Sequence, residues 1–211
     1  MFRRCVVYPA AALSTNDEAI VPIILAGGSS KHLDFPKPLA RFGDKTALLL
    51  AVENCCEVGR PIVVLGCNSG KIRHAVPDGV RVVCNTRWRE GQQSSLRCAL
   101  DHIPVDSAFM IYPVDHPLLL KTTVEGLVRA FRRRRKAVKI VMPRHQSRLG
   151  HPIIVSAALR GEFFSAQTAR EIVYCDPKRN LVMQVRTSAI YQDFDTPESY
   201  RNCLRQFLAG L

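Results

Sequence analysis

Four short apolar runs in the first half of the chain constrain its fold more than any other feature. They lie at residues 21–25, 61–65, 80–84 and 108–114. Continuous apolar runs of this length are typical of parallel strands that are covered on both faces. The intervening segments are long enough for helices, which are predicted at 46–58 and 94–102. Strands that alternate with helices indicate an α/β protein with a doubly wound, mostly parallel sheet.

Length and composition favour a single domain. The chain of 211 residues is 47% hydrophobic, which suffices to bury one sizeable core. No linker-like or repeated segment interrupts it, so we predict one domain over residues 21–211. Residues 1–20 are predicted to form an irregular lead-in, and they make a poor secretory signal because Tyr8 and Pro9 split their apolar stretch. No stretch is apolar enough to span a bilayer, so we expect a soluble, cytoplasmic protein.

A loop of small residues follows the first predicted strand. Residues 21–39 read VPIILAGGSSKHLDFPKPL, and the small residues are Ala26, Gly27, Gly28, Ser29 and Ser30. With few side chains in the way, successive amides of such a loop can converge on a triphosphate. Lys37 can bring a positive charge to the same phosphates. The segment lacks the closing Gly-Lys-Ser/Thr of a P-loop and the third glycine of a dinucleotide-binding loop. An ordinary strand-to-helix turn is the alternative interpretation.

A carboxylate follows the fourth predicted strand. The strand at 109–112 runs into Pro-Val-Asp-His-Pro, which places Asp115 at the carboxyl edge of the sheet, where ligands of open α/β sheets bind. Mg²⁺ typically takes one or two such carboxylates together with substrate phosphates. The alternative is that Asp115 caps a following helix. Adjacent side chains on an extended backbone point apart, so we do not expect His116 to be a second metal ligand.

Three further segments carry polar residues at predicted element boundaries. They lie at residues 85–96, 150–152 and 191–198. The first enters a helix through Ser94 and Ser95, which are predicted either to cap that helix or to contact a ligand. The second places His151 before a strand, where a lone histidine is more often structural than catalytic. The third places Asp195 before a Thr-Pro pair that can begin the C-terminal helix.

Cysteine spacing and charge limit the classes of site. The eight cysteines include no Cys-x-x-Cys pair, so we expect neither a zinc site nor a disulfide framework, and most are predicted to be small buried residues. The net charge of +12 favours anionic partners, including nucleic acid, an acidic membrane or a polyphosphate. The basic run at 132–136 is predicted to end a helix that begins at a capping box of Thr122 and Glu125. We interpret that run as a solvated helix end, since no aromatic residue within it can stack on bases.

Taken in order, these motifs resemble the family of nucleotidyltransferases that make molybdenum-cofactor dinucleotides, and similar NTP transferases. The resemblance covers nearly all of the chain after residue 20. The matching segments are LAGGSS at 25–30 with Lys37, N-x-x-W-x-x-G-x-x-S-S-L at 85–96, D-x-P at 115–117, GHP at 150–152 and DTPE at 195–198. The resemblance implies a Rossmann-like nucleotidyltransferase fold. It also implies transfer of a nucleoside monophosphate from CTP or GTP to a phosphorylated, molybdopterin-type acceptor, with release of pyrophosphate.

The resemblance also implies residue roles. The residues implied to bind the nucleotide are Leu25, Ala26, Gly27, Gly28, Ser29, Ser30, Lys37, Ser94 and Ser95. Lys37 and Asp115 are the implied catalytic residues. Asp115 and Asp195 are the implied ligands of Mg²⁺, and His151 borders the acceptor. A molybdoenzyme or its chaperone is the implied protein partner.

Two other functions stay open from the sequence. In the loop after the first strand, His32 and Asp34 stand where the family usually has arginine and glycine, and an added carboxylate opposes triphosphate binding. These departures favour, as the first alternative, a nucleotide-binding or regulatory protein that has lost catalysis. The second alternative is a nucleic-acid-binding protein, because of the high positive charge.

Overall fold

The computed structural model describes residues 18–210, in which one eight-stranded sheet has helices on both faces. The strands are β1 (Ile20–Ala26), β2 (Arg41–Phe42), β3 (Lys45–Thr46), β4 (Ile62–Leu65), β5 (Arg81–Cys84), β6 (Ala108–Pro113), β7 (Ile140–His145), β8 (Arg148–Leu149), β9 (Ile153–Val155) and β10 (Asn180–Gln184). The α-helices are α1 (Ala47–Cys55), α2 (Ser69–Arg73), α3 (Gln92–Leu100), α4 (Lys121–Arg132), α5 (Arg160–Ser165), α6 (Ala169–Cys175) and α7 (Pro197–Leu208).

The sheet is mostly parallel, which confirms the predicted fold class. Its strand order is β10-β7-β9-β6-β1-β4-β5, with β8 paired to β7. β9 runs antiparallel to β6 and β7, and β8 runs antiparallel to β7, whereas the other pairs of this sheet are parallel. In the centre, β1 lies between β4 and β6, and Leu25 pairs with both Val64 and Pro113. The loops after β1 and β6 therefore leave the sheet side by side.

Helices cover both faces of the sheet because each one buries an apolar stripe. The side chains of α1, α2 and α4 pack in one core on one face, and those of α3, α5 and α6 pack on the other. The predicted stripe of α4 is buried in full at Val124, Leu127, Val128 and Phe131. Because the helices cover the two faces of the sheet, the carboxyl edge of β1 and β6 stays open.

A smaller apolar cluster joins the β2–β3 hairpin to α7. The Phe42 ring contacts the rings of Phe194, Tyr200 and Phe207 at centroid distances of 5.5 to 5.6 Å. Phe194 directly precedes Asp195, so this cluster holds the start of the C-terminal segment against the rest of the molecule.

Two predictions about helix starts are wrong. α4 begins at Lys121 after Leu120, and no side chain caps it, so the expected capping box is not formed. α3 begins at Gln92, with Gly91 as its N-cap at φ +95°, a left-handed conformation that favours glycine. Ser94 and Ser95 therefore lie inside the helix and do not cap it. By contrast, Thr196 and Pro197 begin α7 as predicted.

The basic run after α4 is only partly solvated. Arg132, Arg133, Arg135 and Lys136 are exposed, as predicted. The Arg134 guanidinium instead stacks on the Phe131 ring, at 3.5 Å from the centroid, and pairs with Glu18. The carboxylate of Glu18 also accepts hydrogen bonds from Ser156 Oγ and from the Ala157 amide. Glu18 thus ties the segment before β1 both to Arg134 of the basic run and to the segment after β9.

The cysteine prediction is wrong for most of the described cysteines. Only Cys55 and Cys203 are buried, and the other five described cysteines are exposed or partly exposed, with no disulfide among the seven. Cys5 and the rest of residues 1–17 lie outside the described residues, so most of the predicted lead-in is not described. Ile20 already belongs to β1. Within residues 18–210, no helix has the length and apolarity needed to cross a bilayer.

Candidate active site

The loop after β1 lines a cleft at the carboxyl edge of the sheet. The cleft has a volume of about 710 Å³ and is lined by Leu25, Ala26, Gly27, Gly28, Ser29, Ser30, Lys31, His32, Lys37, Pro38, Trp88, Arg89, Gly91, Gln92, Ser95, Pro113, Val114, Asp115 and Asp195. These residues come from the segments after β1, β5 and β6 and from the segment before α7. The parallel order of β1, β4, β5 and β6 brings the first three segments to one edge.

The two glycines of the loop have different surroundings. Gly27 is buried, its carbonyl accepts the amide of Cys67 at 3.0 Å, and an added Cβ would lie 3.2 Å from the Gly66 nitrogen. Gly28 is exposed, and an added Cβ would meet nothing within 4 Å. Gly27 therefore packs the loop against the segment after β4, whereas Gly28 leaves open space above the loop backbone.

The loop is closed by a serine in a left-handed conformation. Ser30 has φ +52°, and its Oγ accepts a hydrogen bond from the Lys37 amide at 2.8 Å. Lys37 begins a short 3₁₀ turn that ends at Leu39. This contact places the lysine side chain across the loop and towards the end of β6.

The Lys37 ammonium joins two carboxylates from distant parts of the chain. Its Nζ lies 2.7 Å from Asp115 Oδ2 and also contacts Asp195 Oδ1. The exposed fractions of the Lys37 and Asp115 side chains are only 15% and 21%, whereas that of Asp195 is 63%. Two of the three groups are thus largely shielded from water, where charge interactions are strengthened.

Lys37 and Asp115 each favour the charged form of the other. Burial alone would lower the pKa of Lys37, but Asp115 and Asp195 raise it above its ordinary value. Burial alone would raise the pKa of Asp115, but contacts with His116 and Lys37 hold it well below its usual range. At neutral pH the Lys37 ammonium and the Asp115 carboxylate therefore form a charged pair, which Asp195 Oδ1 also contacts. Asp193 lies nearby, and its pKa is raised by burial and by the charge of Asp115.

His116 contacts Asp115, contrary to the prediction that their side chains point apart. The chain leaves β6 in a turn, not in an extended conformation, so His116 Nδ1 lies 3.1 Å from Asp115 Oδ1. The buried His116 ring also packs edge-on against the ring of His151, at a centroid distance of 5.4 Å. Burial and His116 lower the pKa of His151 to about 4, so His151 is neutral at physiological pH.

His151 packs against His116, the residue after Asp115, and lies outside the cleft lining. Its amide donates to the carbonyl of Ile190 at 2.7 Å, and its Nδ1 is buried without a hydrogen-bond partner among the described residues. An added Cβ at Gly150 would lie 2.3 Å from the same Ile190 oxygen, so only glycine fits before this histidine.

Asn85 organises the segment after β5. The buried Asn85 donates from Nδ2 to Ser94 Oγ at 2.8 Å and to Ser95 Oγ at 3.0 Å, and its Oδ1 accepts the Arg87 amide. Ser94 Oγ also lies within hydrogen-bond distance of the carbonyls of Arg87 and Gly91. Ser94 therefore stabilises the turn before α3, and only Ser95 lines the cleft.

Comparison with known proteins identifies the family. The model of the family described as MobA-like NTP transferase domain matches residues 22–179, about three quarters of the chain. The chain belongs to the MobA-like NTP transferase family.

Proteins similar to this MobA-like domain include an oxidoreductase and a nucleotidyl transferase. Nicotine blue oxidoreductase of Paenarthrobacter nicotinovorans is 29% identical over 156 residues, which cover 69% of this chain and 75% of that protein. Rv0371c of Mycobacterium tuberculosis is 24% identical, with a TM-score of 0.78 over 89% of this chain and 98% of that one, and it has also been solved in complex with manganese. A nucleotidyl transferase from Methanothermobacter is 17% identical, with a TM-score of 0.79 over 92% and 100%. The solved structures confirm the fold.

The structure of this MobA-like protein brings most of the sequence-predicted site residues together. Those that line the cleft are Leu25, Ala26, Gly27, Gly28, Ser29, Ser30, Lys37, Ser95, Asp115 and Asp195. Ser94 and His151 are not among the lining residues. Sequence reasoning did not assign cleft roles to Trp88 and Arg89, although an isolated tryptophan beside an arginine was a visible signal. Asp34 also lies outside the lining, so its carboxylate does not face the cleft.

Proposed function

We propose that this MobA-like protein is a nucleotidyltransferase that binds CTP or GTP in the cleft and transfers the nucleoside monophosphate to a phosphorylated acceptor. One observation carries the proposal: the Lys37 ammonium contacts both Asp115 and Asp195 beside the small-residue loop. A loop with few side chains, a lysine and two converging carboxylates are the groups that bind a polyphosphate together with a metal ion. Family membership supports the same reaction class.

Asp115 and Asp195 would be the protein ligands of Mg²⁺. Both carboxylates approach one nitrogen, Lys37 Nζ, so they converge on a single region, and carboxylate oxygens are the ligands that Mg²⁺ prefers. Within residues 18–210, no three or more His, Cys, Asp or Glu side chains are grouped so as to hold a metal ion. Substrate phosphates and water would therefore complete the ligand set. When bound, Mg²⁺ would supply positive charge to the phosphates during the transfer.

The residues of the cleft need only bind and align the two substrates. An acceptor phosphate is already anionic at neutral pH, so no general base is needed to activate it. The loop at 26–30 would hold the triphosphate, and the Lys37 ammonium would offset the negative charge that develops on its oxygens. Alignment of the acceptor oxygen with the α-phosphorus, opposite the departing pyrophosphate, would lower the barrier further.

We propose a molybdopterin-type acceptor, although His151, the residue implied to border it, lies outside the lining of the cleft. The sequence resemblance at residues 150–152 supports this choice. A molybdoenzyme or its chaperone would then receive the product.

A substrate screen tests the reaction. The protein is incubated with each of the four NTPs, Mg²⁺ and a pterin phosphate, and both pyrophosphate release and product mass are measured. We expect turnover with CTP or GTP. Asp115→Asn should reduce it by at least about 10²-fold, since it removes a proposed ligand of Mg²⁺. Asp106→Asn, at the opposite end of β6, is the matched control and should retain turnover. Nucleotide binding without turnover across a panel of phosphorylated acceptors would favour the non-catalytic alternative.

A redox activity is the second candidate, because one relative is named an oxidoreductase. The pyrophosphate of a nicotinamide dinucleotide has the same chemistry as part of a triphosphate, although this loop lacks the third glycine of a dinucleotide-binding loop. Binding of NADH or NADPH, followed by fluorescence, tests this candidate. Tight binding of either dinucleotide, with no turnover of any NTP, would favour the oxidoreductase over the transferase.

A further inference from the structure

The central charges of the cleft do not by themselves favour a triphosphate. The Lys37 ammonium is already paired with the carboxylates of Asp115 and Asp195, so this trio of residues offers no unpaired positive charge. A polyanion that approaches the trio therefore needs further positive charge on the protein as well as any metal ion. Lys31 and Arg89 are the other lysine and arginine among the residues that line the cleft.

Arg89 is held in position by stacking on Trp88. Its guanidinium carbon lies 4.4 Å from the centroid of the Trp88 ring. Trp88 in turn packs on Gly66, where an added Cβ would lie 2.6 Å from Trp88 Cβ and 2.6 Å from the Gly27 carbonyl oxygen. An unbroken series of contacts thus runs from the small-residue loop at 26–30 through Gly66 and Trp88 to the guanidinium. Arg89 is positioned relative to that loop although its side chain is exposed.

Stacking leaves the edge of the guanidinium available to a ligand. Cation–π contact uses the face of the group, whereas its N–H donors lie in its plane and match phosphate oxygens. Among residues 18–210, no carboxylate pairs with Arg89. Lys31 is also exposed, but a lysine offers a flexible point charge.

We propose that Arg89 is a phosphate-binding residue of the cleft, held on the Trp88 platform to contact the triphosphate of the nucleotide. This inference rests on the proposed function and adds a residue that its motifs do not include. According to this proposal, the part of the cleft wall that follows β5 binds phosphates in addition to closing the cleft.

Calorimetry with matched ligands and variants tests the proposal. The ligands are CTP, GTP, the two nucleosides and inorganic tripolyphosphate, without acceptor so that no transfer occurs. Arg89→Ala should weaken triphosphate and tripolyphosphate binding by at least about 10-fold and leave nucleoside binding unchanged. Arg89→Lys should lose part of this affinity. Arg87→Ala removes the same charge two residues away, outside the cleft lining, and should bind like the wild type.

A double-mutant cycle tests the platform. Trp88→Leu should weaken tripolyphosphate binding when residue 89 is arginine, and should have little further effect in the Arg89→Ala background. Thermal unfolding of each variant verifies the fold, and Arg89→Gln provides a second neutral variant.

Three outcomes would overturn the proposal. The first is wild-type affinity of Arg89→Ala for tripolyphosphate and NTP, and this leaves the transferase proposal intact. The second is an equal loss for nucleosides and triphosphates, which would place Arg89 at the base. The third is a wild-type protein that binds no NTP, which would overturn the proposed function together with this inference.

Discussion

Two glycines, one in the cleft lining and one beside it, perform different tasks that substitution by alanine can separate. Gly66→Ala would place a Cβ 2.6 Å from Trp88 Cβ and from the Gly27 oxygen, so the backbone must shift. We expect a loss of about 1–3 kcal/mol in the free energy of unfolding. Gly28→Ala meets nothing within 4 Å and should change stability by less than about 0.5 kcal/mol. Its methyl group occupies the space above the loop, so it should weaken NTP binding.

Urea unfolding and calorimetry on both glycine variants measure these effects. A stable Gly28→Ala protein with unchanged NTP affinity would contradict the assignment of this loop to the phosphates.

The neutral form of His151 makes stability depend on pH. Burial and His116 lower the folded-state pKa from 6.5 to about 4, so protonation favours the unfolded state. This contribution to stability is fully present above pH 6.5 and is lost as pH falls towards and below 4. The full loss is roughly 3 kcal/mol. Urea unfolding of the wild type and of His151→Gln between pH 7 and pH 4 measures it. The variant should show a smaller decline, and equal declines would disprove the assignment.

At the residue scale, side-chain direction was the least predictable property. The alternation of side chains along an extended backbone misled the prediction for His116, because the backbone turns after β6. Ser94 and Ser95 are adjacent in sequence, yet Ser94 bonds to the preceding turn while Ser95 lines the cleft. Only local backbone angles distinguish such neighbours.

At the element scale, the start of α7 positions a predicted metal ligand. Thr196 Oγ1 accepts the Ser199 amide at 3.2 Å, and Ser199 Oγ accepts the amides of Thr196 and Asp195, each at 3.0 Å. This capping box holds the backbone of Asp195 beside Lys37. The carboxylate is therefore placed by a helix end, although its side chain is largely exposed.

Removal of this cap should affect both stability and turnover. Thr196→Ala should cost about 1 kcal/mol, the usual effect of losing an N-cap side chain. It should also lower turnover and the apparent affinity for Mg²⁺, since Asp195 becomes less well positioned. Thr168→Ala removes the N-cap of α6, outside the cleft lining, and is the matched control. A similar loss of stability and of turnover in both variants would show that the cap acts only on the fold.

The types of the elements were predictable because the pattern of apolar residues indicates which residues are buried. The four predicted strands are present, and so is the apolar stripe of α4. The antiparallel β9 was predicted as a strand, but its direction was not, because three apolar residues carry no information about their neighbours. The start of α3 was missed because Gly91 adopts a left-handed conformation, and a glycine in sequence does not reveal its φ.

At the scale of the whole molecule, the net charge of +12 favours weak, nonspecific binding to polyanions. The exposed side chains of Arg133, Arg135 and Lys136 lie beyond the end of α4 and outside the cleft lining. If these three contact phosphates, duplex DNA affinity should fall roughly 40-fold between about 50 and 200 mM salt. A variant with serine at all three positions should lose this binding and keep nucleotide turnover. Sequence-selective binding that survives at 200 mM salt would instead support the nucleic-acid alternative.

The sequence by itself determined the layers of the fold, the loop of small residues and the acid after β6. These properties follow from local composition, since burial of apolar runs is favourable and glycines allow backbone conformations that other residues rarely adopt. Only the tertiary structure decided that Lys37 joins Asp115 and Asp195, which lie 78 and 158 residues away. It also decided that Trp88 and Arg89 face the same cleft. The physical reason is that strand order and loop conformation set these distances through packing across the whole sheet, which no local pattern encodes.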